Sequence, residues 1–317
     1  MTQAAPYDGP ALVHVGYPKT ASTFLQRRVF DRAELGFGLA DGVSNRARLV
    51  AWFKTDDAYL QDPARISAEM TEAEAPVRAR GLVPVWSEET LLGNPLQRIY
   101  DGAWVLDRLF RVAPRARVLI TIRNQVDLAL SAYREHLKLG RHSLRDFIGT
   151  GSEPRSYQPI LREDYLKFDR AVAAYQAAFG PGNVCILPQE MLHRAPAAFF
   201  ERLFRFTELP VQAMQSDQRL NAGLGGTGLR TARTLNAFIV RSPLSNRAPL
   251  AERLVRRATR LVDRVSPRAL DRRIEAAWRA QIAMRYAGCF DASNARLAQF
   301  AGLDLSALGY PVAEDRA

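Results

Sequence analysis

The fold turns on residues 14–30, HVGYPKTASTFLQRRVF. An apolar run, ALVHVGY (11–17), ends in a proline and a lysine; small hydroxyl residues follow, and residues 21–30 have a helical pattern. In open parallel sheets a ligand binds beyond the carboxyl end of a strand, where the loop enters a helix. Loop amides and the positive end of the helix dipole form an anion site there. In this turn Lys19 adds a mobile positive charge, and Thr20, Ser22 and Thr23 add short hydroxyl donors. Lysine is scarce in the chain, occurring only at positions 19, 54, 138 and 167 among 44 basic residues. The spacing G-x-x-x-x-G-K-[ST] of nucleoside triphosphatases does not occur.

Working outward, LVPVWS (82–87), RVLITIR (117–123) and NVCILPQ (183–189) read as three further buried strands. Helical patterns at 97–112, 124–140, 164–179 and 195–207 alternate with them. Asn124 suits an N-cap with Asp127 three residues later, and Gly140 suits the left-handed position after the helix. The alternation predicts an α/β fold, a central, mostly parallel sheet flanked by helices through right-handed crossovers. Region 36–81 reads as helical insertions on the sheet's rim. Beyond about residue 215 the texture changes. NAGLGGTGLR (221–230) reads as a glycine-rich loop, and 241–285 holds twelve arginines against four acids. Within that segment Leu250, Leu254, Leu261 and Val265 recur at helical spacing. With no repeat and no Ser/Gly linker, the chain reads as one domain: a core at about 11–215 and a helical extension over 216–317.

The chain has 317 residues, 47% of them apolar, enough for a substantial core. Its net charge of +11 suits anionic partners: phosphate-bearing small molecules, acidic glycans or an anionic lipid surface. Basic–aromatic interleaving is missing, which argues against nucleic acid. Cys185 and Cys289 stand in no metal-ligand spacing, and Cys185, within a strand, reads as a buried inert thiol. Without a charged leader before an apolar core, or a run approaching about 20 apolar residues, the sequence predicts a cytoplasmic protein. Arg-rich 241–285 reads as solvated helix faces, or alternatively as a surface for an acidic glycan or an anionic inner-membrane face.

VGYPKTASTFLQ resembles the 5′-phosphosulfate loop of sulfotransferases that use 3′-phosphoadenosine 5′-phosphosulfate (PAPS), with Ala21 where many members have glycine. A second element agrees: VLITIRNQVDLALSAYREHLKLG resembles the family's 3′-phosphate motif, a strand ending in arginine and a helix with serine eight residues later. Those residues are Arg123 and Ser131; Gln125 stands where many relatives have proline. CILPQEMLHRAPAAFFERLFRFTEL and NARLAQFAGLDLSALGYP (294–311) resemble segments of the bacterial, carbohydrate-type branch.

The resemblance implies a P-loop-like sulfotransferase fold, PAPS as donor, 3′-phosphoadenosine 5′-phosphate (PAP) as product, and a hydroxyl acceptor on a carbohydrate or glycolipid. No metal is called for. Pro18, Lys19, Thr20, Ala21, Ser22 and Thr23 would cradle the 5′-phosphate, Lys19 acting also on the leaving oxygen. Arg123 and Ser131 would hold the 3′-phosphate. VPVWSEETLLG resembles the family's Ser-[Asp/Ser]-Glu-x-Leu segment, which makes Glu89 the base and Glu88 the runner-up. Asn221 and Arg230, in a flexible flap, would contact acceptor or donor phosphate. His14 reads as a satisfied core side chain and His136 as a surface one. The residues also leave open a small-molecule kinase on the same class of sheet and a non-catalytic module binding anionic polymer or membrane.

Overall fold

Five short parallel strands form the sheet, in the order β2-β3-β1-β4-β5. They are β1 (Leu12–His14), β2 (Phe37–Leu39), β3 (Val83–Ser87), β4 (Arg117–Ile122) and β5 (Val184–Pro188). The computed structural model describes residues 5–55, 57, 59, 61–154, 156–212, 214, 224–239 and 250–312. β3 and β5 are buried along their whole length, as strands covered on both faces must be. β1 lies at the centre, with His14 opposite Ser87 of β3 and Leu119 of β4. Backbone bonds from the Val15 and Tyr17 amides to the Leu119 and Thr121 carbonyls carry the β1–β4 pairing to the edge of the loop.

Right-handed crossovers sort the helices onto two faces. The step from β1 to β2 runs through α1 (Ser22–Leu25) and a π-helical turn, Gln26–Phe30. On the same face lies α9 (Pro196–Phe206), joined through Phe24–Phe200 and Phe37–Phe204 ring contacts. Steps in the other direction carry α3 (Pro63–Arg78), α4 (Gly102–Val112) and α7 (Phe168–Phe179), which pack in series on the second face. α13 (Asp291–Ala301) then lies on α7, where Ser293 and Arg296 both bind the buried Asp169 carboxylate. Short helices α2 (Asn45–Val50) and α8 (Gln189–Arg194) complete this unit, which comprises 1–124, 167–218 and 290–317.

A second compact unit, 125–166 with 219–289, is helical: α5 (Gln125–Leu137), α6 (Leu144–Ile148), α10 (Gly226–Asn236), α11 (Leu250–Val265) and α12 (Arg268–Arg285). Tyr133 of α5 sits edge-on to Trp278 of α12, ring centroids 5.4 Å apart. Two carboxylates cap the start of α10: Asp263 accepts from the Gly225 amide at 2.6 Å, and Asp271 from the Thr227 amide at 2.8 Å. Negative charge at the positive end of the helix dipole is favourable. The glycines there serve close packing. A Cβ on Gly226 would lie 2.8 Å from Ile274, and one on Gly228 would lie 2.7 Å from Asp263.

The structure corrects four expectations. Region 36–81 does contain helices, but Phe37–Leu39 is a sheet strand, so the sheet has five strands. Three residues around a glycine show neither alternation nor β-branching, the signals that mark a strand in sequence. Within NAGLGGTGLR, Gly226–Arg230 open α10 rather than form a flap; Asn221 lies outside the described residues. Gly140 is not left-handed. A Cβ there would fall 2.2 Å from His136 Nε2, so the glycine makes room for the imidazole. That imidazole is half-buried, 3.1 Å from His142 Nδ1, not a surface group.

Asn45 ties the end of β2 to β3: its amide donates to the Ala40 carbonyl just after β2 at 2.7 Å and to the Val85 carbonyl of β3 at 2.9 Å, and its carbonyl accepts from the Ser87 amide of β3 at 2.9 Å. Asn45→Ala removes all three bonds from a buried site, leaving the Val85 carbonyl only its bond from the Ala40 amide, and should lower unfolding free energy by about 2–4 kcal/mol, read from urea titration.

Candidate active site

Three adjacent strands end at one edge of the sheet. The Tyr17–Thr23 loop follows β1, Glu88 and Glu89 follow β3, and Arg123 follows β4. The loop turns tightly: Lys19 and Ala21 both have left-handed backbone, φ 71° and 70°. For a residue with a Cβ this conformation costs about 1–2 kcal/mol, so Ala21 keeps, under strain, a turn that glycine would enter freely. Lys19 is half-buried. Arg123 Nη1 donates to the Lys19 carbonyl at 3.2 Å, tying the arginine to the loop.

Beneath the loop runs a chain of hydrogen bonds whose polarity can be worked out. Thr20 Oγ1 donates to the Tyr17 carbonyl, which can only accept. Thr20 therefore accepts from Thr121 Oγ1, 2.7 Å away, and Thr121 in turn accepts from His14 Nε2 at 3.0 Å. Burial pushes the His14 pKa down to about 3, so the ring is neutral and its Nδ1 carries a lone pair. Ser87 Oγ, 2.8 Å from Nδ1, donates to it and accepts from Gln26 Nε2 at 3.1 Å. Gly16 passes directly over this chain, and a Cβ there would stand 1.9 Å from Thr121 Oγ1. His14 is thus the satisfied core residue expected. The Thr20 hydroxyl is committed to the protein, leaving its amide as that residue's offering to a ligand.

Ser22 differs. It is buried, yet its hydroxyl has no hydrogen-bond partner among the described residues. A buried hydroxyl left alone costs free energy, and an anion seated in the loop would satisfy it. Thr23 is exposed. The first amides of α1 lack intrahelical acceptors, as at any helix start.

The two glutamates have different surroundings. Glu88 is fully buried. Its Oε1 accepts from the Thr90 amide and hydroxyl at 2.9 and 2.6 Å, and its Oε2 pairs with Arg46 Nε at 2.5 Å. Glu89 is half-exposed and has no hydrogen bond or ion pair among the described residues. At the β4 corner the Asn124 amide donates to Glu190 Oε1 at 2.9 Å, and its side chain donates to the Gly309 carbonyl at 2.6 Å. Tyr310 closes the set by donating to Glu190 Oε2.

In the second unit Ser131 is half-buried on α5. Arg230, exposed on α10, and Arg233 both lower the Tyr133 hydroxyl's pKa, though burial dominates and raises it. Arg233, hydrogen-bonded to Tyr133, was missed in the sequence because it lies past the glycine-rich motif. Burial lifts the Cys185 thiol to about 11, consistent with an inert role. Among the described residues no group of three or more His, Cys, Asp or Glu side chains is arranged to hold a metal ion.

A strand–loop–helix turn, an arginine and a carboxylate with no partner among the described residues come together at one edge of a parallel sheet, where such folds bind ligands. The chain belongs to the sulfotransferase family, whose model matches residues 10–213. No curated protein matches it. Among solved structures it is similar to a sulfotransferase from Alicyclobacillus acidocaldarius: 17% identity, 94% of this chain and 98% of that one covered, TM-score 0.48. It is also similar to a sulfotransferase domain from the curacin biosynthetic pathway, at 12% identity, with 80% and 98% covered and TM-score 0.41. A third is the sulfotransferase domain of the Synechococcus PCC 7002 olefin synthase, at 10% identity, with 80% and 95% covered and TM-score 0.38.

Because His14 titrates near 3 when folded and near 6.5 when unfolded, the unfolded chain binds the proton more readily. Its contribution to stability is therefore full above pH 6.5 and is lost as pH falls toward 3. Denaturant titrations across this window should show a loss on acidification that His14→Gln, which cannot titrate, reduces by about one proton's worth.

Proposed function

We propose that the protein transfers a sulfuryl group from PAPS to a hydroxyl of a carbohydrate or glycolipid. Ser22 carries the reading: a buried hydroxyl with no partner among the described residues, in a cationic loop, suits a bound anion. Pro18 through Thr23 hold the donor's 5′-phosphate with loop amides and the Ser22 and Thr23 hydroxyls. Arg123, a planar fork already joined to the loop, takes the 3′-phosphate. For Ser131, in the other unit, assignment to the donor rests on motif order alone; for Arg230, also there, a contact to acceptor or donor phosphate rests on analogy with a loop that closes in related sulfotransferases.

Sulfuryl transfer, like phosphoryl transfer, passes through a loose in-line transition state, so catalysis is chiefly positioning and charge stabilisation. The bond from sulfur to the oxygen bridging it to the 5′-phosphate breaks, and its electron pair stays on that oxygen, where the Lys19 ammonium meets the growing charge. The acceptor oxygen bonds to sulfur as its proton passes to a carboxylate. Glu89 is the better base, since the Glu88 carboxylate is engaged by Thr90 and Arg46. PAP and the sulfate ester are the products.

Calorimetry with PAP and its 3′-dephospho analogue tests the donor assignment. Arg123→Ala should weaken PAP binding about ten- to a hundred-fold and leave the analogue nearly unaffected. An equal loss for both would make the arginine purely structural. Glu89→Gln should keep PAP affinity and lower turnover with radiolabelled PAPS by about 10²–10⁴-fold; undiminished turnover would remove it from the mechanism.

A further inference from the structure

α11 has two faces of different character. One is seated in its own unit: Thr259 is buried, Val255 and Val262 are half-buried, and Asp263 binds the Gly225 amide at the start of α10. Elsewhere Leu250, Leu254, Leu261 and Val265 are 76%, 64%, 63% and 74% exposed. At about 100° per residue these four, with Ala258, fall within an arc of about 80°, forming a stripe about 22 Å long. Four large aliphatic side chains left in water along one line are not the ordinary scatter of surface hydrophobics.

Charge borders this stripe on one side only. Arg253, Arg257, Arg260 and Arg264 project along its edge, all exposed, and they have no ion pair among the described residues. Both acids of the helix are engaged elsewhere: Glu252 pairs with Arg256, and Asp263 holds α10. The outer surface of α11 thus combines an apolar line with unopposed guanidiniums. Arginines on long stems beside an apolar stripe can reach phosphates while the stripe sinks among acyl chains. Two copies paired antiparallel through the stripe would set arginine row against arginine row, which like-charge repulsion opposes.

We propose that α11 lies in the plane of an anionic bilayer surface, its Leu250–Leu254–Leu261–Val265 stripe inserted and its arginine row on the lipid phosphates. No helix among the described residues is long and apolar enough to cross a membrane, and this contact needs none. The proposal is independent of the sulfuryl-transfer reading; it would hold for any activity in the other unit.

The test is co-sedimentation of the full chain with phosphatidylcholine vesicles containing a quarter phosphatidylglycerol, against phosphatidylcholine alone. Binding should require the anionic lipid and weaken with salt. Leu254→Ser/Leu261→Ser should lower partitioning at least about tenfold with an unchanged melting temperature, since both side chains are exposed. Arg253→Gln/Arg257→Gln/Arg264→Gln should abolish the preference for anionic vesicles. Absence of vesicle binding overturns the proposal. So does binding that the leucine variant retains, which would mark a purely electrostatic surface suited to an acidic polymer. A concentration-dependent dimer lost in the leucine variant would assign the stripe to a second copy and overturn it as well.

Discussion

A neutral imidazole in the middle of the sheet is the constraint on which the candidate site depends. His14 spans two neighbours: one ring nitrogen is committed to Thr121 and through it to the loop, the other to Ser87 and through it to the helix after the loop. One side chain thus sets the relative position of β1, β3 and β4, the strands whose ends carry Lys19, the glutamate pair and Arg123. Every hydroxyl in the chain gives one proton and receives another, so the tautomer follows from counting donors. Protonating the ring would leave Ser87 and Nδ1 offering hydrogens to each other, which is why burial and the low pKa belong together.

Neighbouring residues of the same type divide the work around this hub. Glu88 is used up as structure, its carboxylate pinning the turn through Thr90 and Arg46, and Glu89, one residue on, is left accessible. Thr20 braces the loop from below while Ser22 keeps a spare hydroxyl. At the β4 corner, Asn124 and Glu190 hold the segment around Gly309 and Tyr310 beside Arg123's backbone. These pairs show how nearby positions with the same chemistry separate into engaged and available groups once burial is known.

Much of the fold was legible because its signals are local. The strands at 82–87, 117–123 and 183–189 are continuous β-branched or aromatic runs, and the loop's proline, lysine and hydroxyls stand in sequence order. β2 was illegible because Phe-Gly-Leu becomes a strand only by pairing with Val83–Val85. Asn45, whose three bonds join the end of β2 to β3, is one polar residue in a helical stretch, and its partners lie up to 42 residues away. The division of labour between Glu88 and Glu89 depends on Arg46, which no spacing rule connects to them. The left-handed Ala21 could be suspected only by comparison with the glycine that relatives carry. Arg233 and the His136–His142 pair needed the packing of α10 and the turn after α5 before they meant anything.

The start of α10 has a wider consequence. Glycine ordinarily weakens a helix by about 1 kcal/mol relative to alanine, so propensity tables would rank Gly226 and Gly228 among the first positions to replace. Here the bare backbone is what lets three rods approach so closely, with Ile274 and Asp263 filling the space a methyl group would need. Engineering for thermostability on intrinsic preference alone would wedge this bundle open, reversing the sign of the intended gain.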